Sequence, residues 1–357
     1  MSRDVKPAKY TVTVVPNRLI NNFDVLGCSI RLTEDIEVKF HRDPIINMDG
    51  TRIKANFDMY IGNGDAESER WRKMLAPHQF IDLPRYDKFT QALRLQRGIQ
   101  AYEKTDHPGD HGFIPVQTWF TGLNSGNNYP PVAGKMVIKP QDGARGAGQW
   151  LVDTNFVNLQ YFSAKLTDFV SDVRSNGDEV VVKEKLETFL AKFDGHVSYH
   201  SGGEHYATEG FTMLSDQGAV VQSLVPDIEH EFRLITGVDG SPVYCQRRKI
   251  RDNESKLPQA TGGGFVIDHD AVMDWEDLLG SNRRHALRWL CQNVIGPMNS
   301  LDLFKTKDGG WGILEYCNQF GVSGIPQDIA RDMHINYLYK VVKAYIAAEY
   351  PTFVQAE

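Results

Sequence analysis

Residues 136–149 read Met136-Val-Ile-Lys-Pro-Gln-Asp-Gly-Ala-Arg-Gly-Ala-Gly-Gln149. Met136, Val137 and Ile138 form the short apolar run of a buried strand. Lys139 ends the run, and Pro140 behind it stops sheet pairing. Gly143, Gly146 and Gly148 follow, with Arg145 among them. Glycines this close let a backbone approach a ligand and aim several N–H groups at it. A lysine beside such a loop suits phosphate. The stretch is not a Walker loop, whose lysine follows the glycines. Nor is it a dinucleotide fingerprint, which opens a helix. The apolar Trp150-Leu-Val152 comes next, so the order is strand, loop, strand. That order predicts a hairpin lid over a nucleotide. An ordinary Gly-rich hairpin with a solvated lysine would have the same local sequence.

Upstream, Tyr10–Val15, Ile36–Phe40 and Phe57–Ile61 read as strands and residues 66–75 as a helix, which predicts a small α/β region. Tyr86 to Gly98 reads as a helix with Asp87 and Lys88 at its head and Gly98 as its stop. Pro108 and Gly109 rule out a helix that would align His107 with His111.

Downstream, Asn155–Val173 carries one apolar stripe and reads as a helix. Val180–Val182 reads as a strand and Lys183–Phe193 as a short helix. His196, His200, Glu204 and His205 lie in a glycine-containing segment read as a loop rather than a metal cluster. Phe211–Leu214 with Ala219–Val225, and Glu231–Thr236 with Pro242–Ile250, read as antiparallel pairs. Arg283–Ile295 reads as a helix. Leu301–Phe304 and Gly312–Tyr316 read as a last hairpin, and Asp328–Tyr350 as a terminal helix.

The 357 residues are enough for two or three domains and a sizeable core. A net charge of −7 argues against a general nucleic-acid binder. No apolar run approaches the ~18 residues of a membrane span. The first residues lack the apolar core of a signal peptide. Cys28, Cys245, Cys291 and Cys317 are far apart, which fits free thiols in a reducing cytoplasm.

Taken in order, several of these features resemble the ATP-grasp superfamily, in particular its carboxylate–amine ligases, similar to ribosomal-protein S6 glutamate ligase and D-alanine–D-alanine ligase. The resemblance covers roughly residues 85–345 and rests on motif order and spacing. It implies an α+β fold in which two α+β lobes clamp a nucleotide behind a small α/β N-terminal domain. The implied boundaries are 1–112 for the N-terminal region, 113–225 for the small lobe with its Gly-rich lid, and 226–357 for the large lobe.

By the same resemblance, Lys88 and Lys139 contact the α- and β-phosphates, with Gly143, Arg145, Gly146 and Gly148 in the lid. Gln222, Ser223, Leu224 and Val225 form the adenine hinge, and Glu229 or Glu231 takes the ribose. Arg233 stands in the acid–apolar–arginine strand. Arg247, with Arg248 as its alternative, reaches toward the γ-phosphate and the developing acyl phosphate. Thr261–Gly264 resembles the Gly-Gly loop near the acceptor. Asp302, Glu315 and Asn318 match the metal hairpin, whose oxygens suit Mg²⁺ (two ions, with Mn²⁺ an alternative). The family spacing is Glu-x-Asn, whereas this chain has Glu315-Tyr-Cys-Asn318, so a bulge or a strand end is expected after Glu315.

The implied activity is ATP-dependent, ADP-forming amide or peptide bond formation through an acyl phosphate. The implied partners are a carboxylate donor and an amine acceptor (an amino acid, peptide or protein terminus), with no membrane and with a homodimer left open. A small-molecule kinase of the same fold and a non-catalytic nucleotide-binding protein are the other two readings.

Overall fold

The computed structural model describes residues 7–16, 29–41, 46–49, 52–55, 57–62, 66–83, 86–105, 112–114, 116, 118–121, 133–141, 148–174, 179–200, 218–250, 265–272, 274–317 and 325–351. The chain opens with β1 (Tyr10–Pro16), β2 (Ser29–Arg31), β3 (Ile36–Phe40), the hairpin β4 (Ile46–Asp49) and β5 (Arg52–Ala55), β6 (Met59–Gly62), α1 (Ala66–Met74) and β7 (Phe80–Asp82). Five of these strands form a sheet in the order β2-β3-β1-β6-β7, parallel except for β2. A parallel sheet needs cover on both faces. Val12, Val14, Val38, Met59 and Ile61 pack into one core with the C-terminal helix (Gln327–Glu349), and Val15 and Tyr60 pack with Trp71 of α1.

The middle of the chain runs α2 (Lys88–Tyr102), β8 (Phe113–Ile114), β9 (Thr118–Thr121), β10 (Lys135–Pro140), β11 (Gln149–Asp153), α3 (Leu159–Arg174), α4 (Glu179–Ala191), β12 (Val197–His200) and β13 (Ala219–Ser223). Its antiparallel sheet has the order β12-β11-β10-β13-β9. Alternation along β10 sends Met136 and Ile138 to a core shared with Trp150, Phe162, Phe169 and Phe189. Val137 and Lys139 take the other face. Trp150 is fully buried, its ring centroid 5.7 Å from those of Phe162 and Phe189.

The last third runs β14 (Ile228–Thr236), β15 (Pro242–Ile250), β16 (Phe265–Val272), α5 (Trp275–Leu278), α6 (Ser281–Leu290), a π-helical turn (Cys291–Ile295), β17 (Ser300–Thr306), β18 (Trp311–Cys317) and α7 (Gln327–Glu349). Its sheet is β16-β15-β14-β17-β18-β8. Phe232, Leu234, Cys245, Leu301, Leu303 and Ile313 on its back face share a core with Leu95 of α2 and Leu287 and Leu290 of α6. Ile235 and Tyr244 on the front face join the core that contains α7.

Several expectations are corrected. Val180–Val182 is not a strand but the start of α4, which buries Val182 and Phe189 and leaves Val180 exposed. Three adjacent valines suit either structure, and the packing of one valine in three decides for the helix. Residues 291–295 continue the predicted 283–295 helix as a π turn. Ala219–Ser223 pairs with β10 and β9, and the predicted partner Phe211–Leu214 lies outside the described residues.

Gly98 does not stop α2, which runs four residues further. It lets the helix approach the π turn. A Cβ there would lie 2.5 Å from Val294 Cγ2 and 3.1 Å from Leu290 Cδ2. Alanine would gain about 1 kcal/mol of helix propensity, but overpacking a buried contact costs about 1–3 kcal/mol. Gly98→Ala is therefore expected to lower the urea midpoint with an unchanged slope. A raised midpoint would show that the two helical segments have room to part.

Candidate functional site

The front face of the six-stranded sheet carries a polar row set by register. Arg233 on β14 pairs with Asp302 on β17, and Asp302 pairs with Glu315 on β18. A bulge makes this row possible. Leu303 pairs with Ile313, and then Asp302 pairs with Glu315, so Leu314 is the extra residue. Regular alternation from Ile313 would turn Glu315 toward the back-face core. The extra residue returns it to the face of Asp302. A bulge thus precedes Glu315, and of the two expected alternatives after it the strand end is the one found, since β18 ends at Cys317. Pairing is regular from Glu315 to Cys317, so the same-face position two residues on belongs to Cys317. Asn318 lies outside the described residues.

Two lysines approach this row from elsewhere in the fold. Lys139 ends β10 and is 8% exposed, and its Nζ lies 3.5 Å from Glu315 Oε2. Lys88, the first residue of α2, places its Nζ 3.6 Å from the same oxygen. Arg233 donates from Nε and Nη2 to both oxygens of Asp302, each at 2.9 Å. Five residues named from distant parts of the sequence therefore meet, three cations against two carboxylates. The charges shift one another. The Lys88 ammonium, followed by Lys139 and Arg233, holds the Glu315 carboxyl down at about 2 against the opposing effect of burial. Burial pushes the Lys139 ammonium below its usual range, and Glu315 partly offsets this. For Arg233 burial disfavours the charge, yet Asp302 more than compensates.

Helix α2 joins the two sides of the site. Asp87 caps it, accepting from Thr90 N at 2.9 Å and Thr90 Oγ1 at 2.6 Å. The Lys88 N–H donates to Gln141 O at 3.1 Å, which ties the helix to the exit of β10. Farther along, Arg94 donates to Tyr316 Oη at 2.9 Å and to Val294 O at 2.7 Å, and stacks 4.2 Å from the Tyr86 ring centroid. Tyr316 follows Glu315 in β18. The lysine-bearing end of α2 is thereby held in place against the carboxylate row.

The remaining expected residues divide as follows. Gly148 is buried with φ 69°, the left-handed conformation that favours glycine, where the chain re-enters β11. Gly143, Arg145 and Gly146 lie outside the described residues, as does Thr261–Gly264. Gln222 pairs with Val137, on the face of Lys139, and donates to Thr118 Oγ1 at 3.1 Å. Ser223 ends β13, and Val225 follows two residues later, half-buried. Leu224 gives its N–H to Lys135 O and packs its side chain against Val137 and Leu151. These last two form an apolar floor that sequence reading missed, because apolar strand residues look alike on either face.

Glu231 is buried and one alternation step from Arg233, on the same face. Glu229 is more open, with its Oε2 3.7 Å from Lys305 Nζ. Arg247 and its alternative Arg248 are adjacent on β15. Position 247 pairs with Phe232, whose side chain is in the back-face core, whereas position 248 pairs with Glu231. The segment read as a loop is corrected in part: Val197–His200 is strand β12, paired with β11, His196 before it stacks on Phe156 at 4.1 Å, and residues 204 and 205 lie outside the described residues.

The two carboxylates fit a hard divalent cation. They are cross-strand neighbours and offer only oxygen. Among the described residues no group of three histidine, cysteine, aspartate or glutamate side chains forms a metal cluster. Mg²⁺ does not require one, since it commonly takes one or two carboxylates and completes its shell with phosphate and water. Cys245, Cys291 and Cys317 are free thiols. Among the described residues no helix is long and apolar enough to cross a membrane.

No protein-family model matches the chain, and no curated protein matches it in sequence. Solved structures match it in shape. D-Alanyl-alanine synthetase A from Vibrio cholerae is 12% identical with a TM-score of 0.52, covering 95% of this chain and 99% of its own. D-Alanine–D-alanine ligase from Bacillus anthracis is 9% identical with a TM-score of 0.47, over 95% and 98%. A RimK domain protein, ATP-grasp, from Sphaerobacter thermophilus is 13% identical with a TM-score of 0.40, over 92% and 100%. The chain has the α+β ATP-grasp fold.

Proposed function

We propose that the protein is an ATP-dependent carboxylate–amine ligase. The observation that carries the reading is the convergence of Lys88 and Lys139 on Glu315, beside Asp302 and Arg233. Phosphoryl transfer asks a protein for charge neutralisation and in-line positioning rather than a nucleophile of its own. The base would lie on Val137 and Leu151 beside the 222–225 hinge, with Glu231 at the ribose and the phosphates reaching Lys139 and Lys88. Asp302 and Glu315 would hold Mg²⁺, which would neutralise phosphate charge and orient the transferring group. A substrate carboxylate oxygen attacks the γ-phosphorus, and the bond to the β–γ bridging oxygen breaks to release ADP. An amine nitrogen then attacks the acyl carbon, phosphate leaves, and the amine loses a proton. In this reading 113–225 and 226–357 are the two lobes, and 1–112 with the loops around the site selects the substrates.

The test follows ADP and free phosphate from Mg·ATP against separate pools of carboxylates and amines. Turnover that needs one member of each pool, with an amide as product, is expected. A stable phosphoester formed with a hydroxyl acceptor would instead identify a kinase. Tight Mg·ATP binding without turnover in any pool would favour a non-catalytic nucleotide-binding protein.

A further inference from the structure

Helix α2 meets β18 on both faces of the sheet. Lys88 reaches Glu315 in front. Arg94 donates from Nε to Tyr316 Oη at 2.9 Å at the back, where Tyr316 pairs with Leu301 in the core. The two gripped residues are adjacent, and they directly follow the bulge at Leu314. A bulge interrupts the ladder and leaves the strand locally short of hydrogen bonds. The outer edge gives this segment no support. β8 pairs with Trp311 and Gly312 alone, so among the described residues no strand pairs with Ile313 to Cys317 on that side. Arg94 is itself fixed from two more directions. Its Nη2 donates to Val294 O at 2.7 Å in the π-helical turn, and its guanidinium lies 4.2 Å from the Tyr86 ring centroid.

We infer that Arg94 is a positioning residue for Glu315: it clamps the bulged segment of β18 so that the carboxylate stays aligned with Asp302. The consequence for metal binding rests on the ligase reading above. Side chains alternate along a strand, so the bulge decides that Glu315 faces the site. A full slip of the register would bury the Glu315 carboxylate beside Leu301, which is strongly unfavourable. Loss of the clamp therefore loosens the segment rather than reversing it. A guanidinium suits the task, because its planar fork donates in fixed directions while its face stacks on a ring. Held by the π turn and by Tyr86, Arg94 passes their position to the residue beside Glu315.

The role differs from that of Lys88, although both side chains leave the same helix. Lys88 acts on phosphate directly, with or without a metal. Arg94 acts through Glu315, so its effect appears only when a cation is held between Glu315 and Asp302. Mg²⁺ demands near-ideal ligand geometry. Groups that orient a metal-binding carboxylate from behind accordingly contribute about 10- to 100-fold to metal affinity.

The test titrates ADP calorimetrically into the full chain, with and without Mn²⁺. The variants are Arg94→Met, which keeps the aliphatic stem, and Tyr316→Phe, which removes only the acceptor. The wild type is expected to bind ADP more tightly with Mn²⁺. Each variant is expected to lose about tenfold in affinity for Mn·ADP, while binding metal-free ADP within about twofold of the wild type. Deleting Leu314 gives a second check. The deletion leaves Asp302 opposite Glu315 in an unbroken ladder, so adding Arg94→Met to it is expected to change Mn·ADP affinity by less than about twofold. Equal losses with and without Mn²⁺ would make Arg94 structural and overturn the proposal. So would unchanged Mn·ADP binding in both single variants, a loss that persists without Leu314, or a wild type indifferent to Mn²⁺. Should the deletion variant fail to fold, the two single variants decide by the same comparison. A wild type that binds no ADP under either condition would overturn the ligase reading itself.

Discussion

Replacing Lys139 with alanine is expected to lower Mg·ATP turnover by about a thousandfold or more, the scale on which removing one preorganised charge stabiliser acts. Lys139 is held by the end of β10, nearly out of water, with its charge balanced by Glu315 at 3.5 Å. In that setting an ammonium acts on phosphate far more strongly than it would in solvent. The fold should survive the change, because the ammonium is itself disfavoured by burial and Glu315 keeps Lys88. The sign of the pH effect follows. Lys139 binds its proton more weakly in the folded protein than in the unfolded chain. Between those two values the unfolded chain binds more protons, so wild-type stability relative to the variant should rise with pH through the alkaline range. Steady-state turnover and chemical denaturation across pH check both claims. Turnover within tenfold of wild type would remove Lys139 from the chemistry.

Glu315→Gln is expected to have the second large effect, and its signature differs. Mg²⁺-supported turnover should fall by about a hundredfold or more, since a carboxylate beside the transferring phosphate is lost. Nucleotide binding without Mg²⁺ should tighten, because Lys88 and Lys139 no longer share their charge with Glu315. Binding and turnover thus move in opposite directions, which distinguishes a metal-holding carboxylate from a merely structural one. Acid stability gives an independent reading. The Glu315 carboxyl is held at about 2 against an ordinary 4.5. A depressed carboxylate stabilises the fold above its unfolded value and loses that contribution as pH falls toward the folded one. The stability gap between wild type and Glu315→Gln should therefore narrow between those two values. Equal weakening of nucleotide binding with and without Mg²⁺ would contradict the assigned role.

The residue types of this cluster were legible because phosphate chemistry, as proposed, would demand them in a particular order along the chain. The sequence offers Lys88 at a helix head, Lys139 at a strand end before a Gly-rich loop, and Arg233, Asp302 and Glu315 on later strands. The structure brings these five into one cluster. Helix existence was also legible wherever apolar periodicity was long, as in α3 and α7. Gly98 reads as a helix stop in the sequence and proves to be a packing contact, because glycine both ends helices and permits close approach. Only the partner surface, here Val294 and Leu290, tells the two apart.

The sequence by itself determined which groups were available and that they suit phosphate and a hard cation, because charge, hydrogen-bonding capacity and backbone freedom are properties of the residues. The tertiary structure alone decided which way each strand residue faces. Register set Arg247 opposite Phe232, placed Gln246 beside Arg233, and through the bulge at Leu314 turned Glu315 toward Asp302. Side chains alternate with a period of two, so one inserted residue exchanges core for site. Whether it is accommodated depends on pairing with strands distant in sequence.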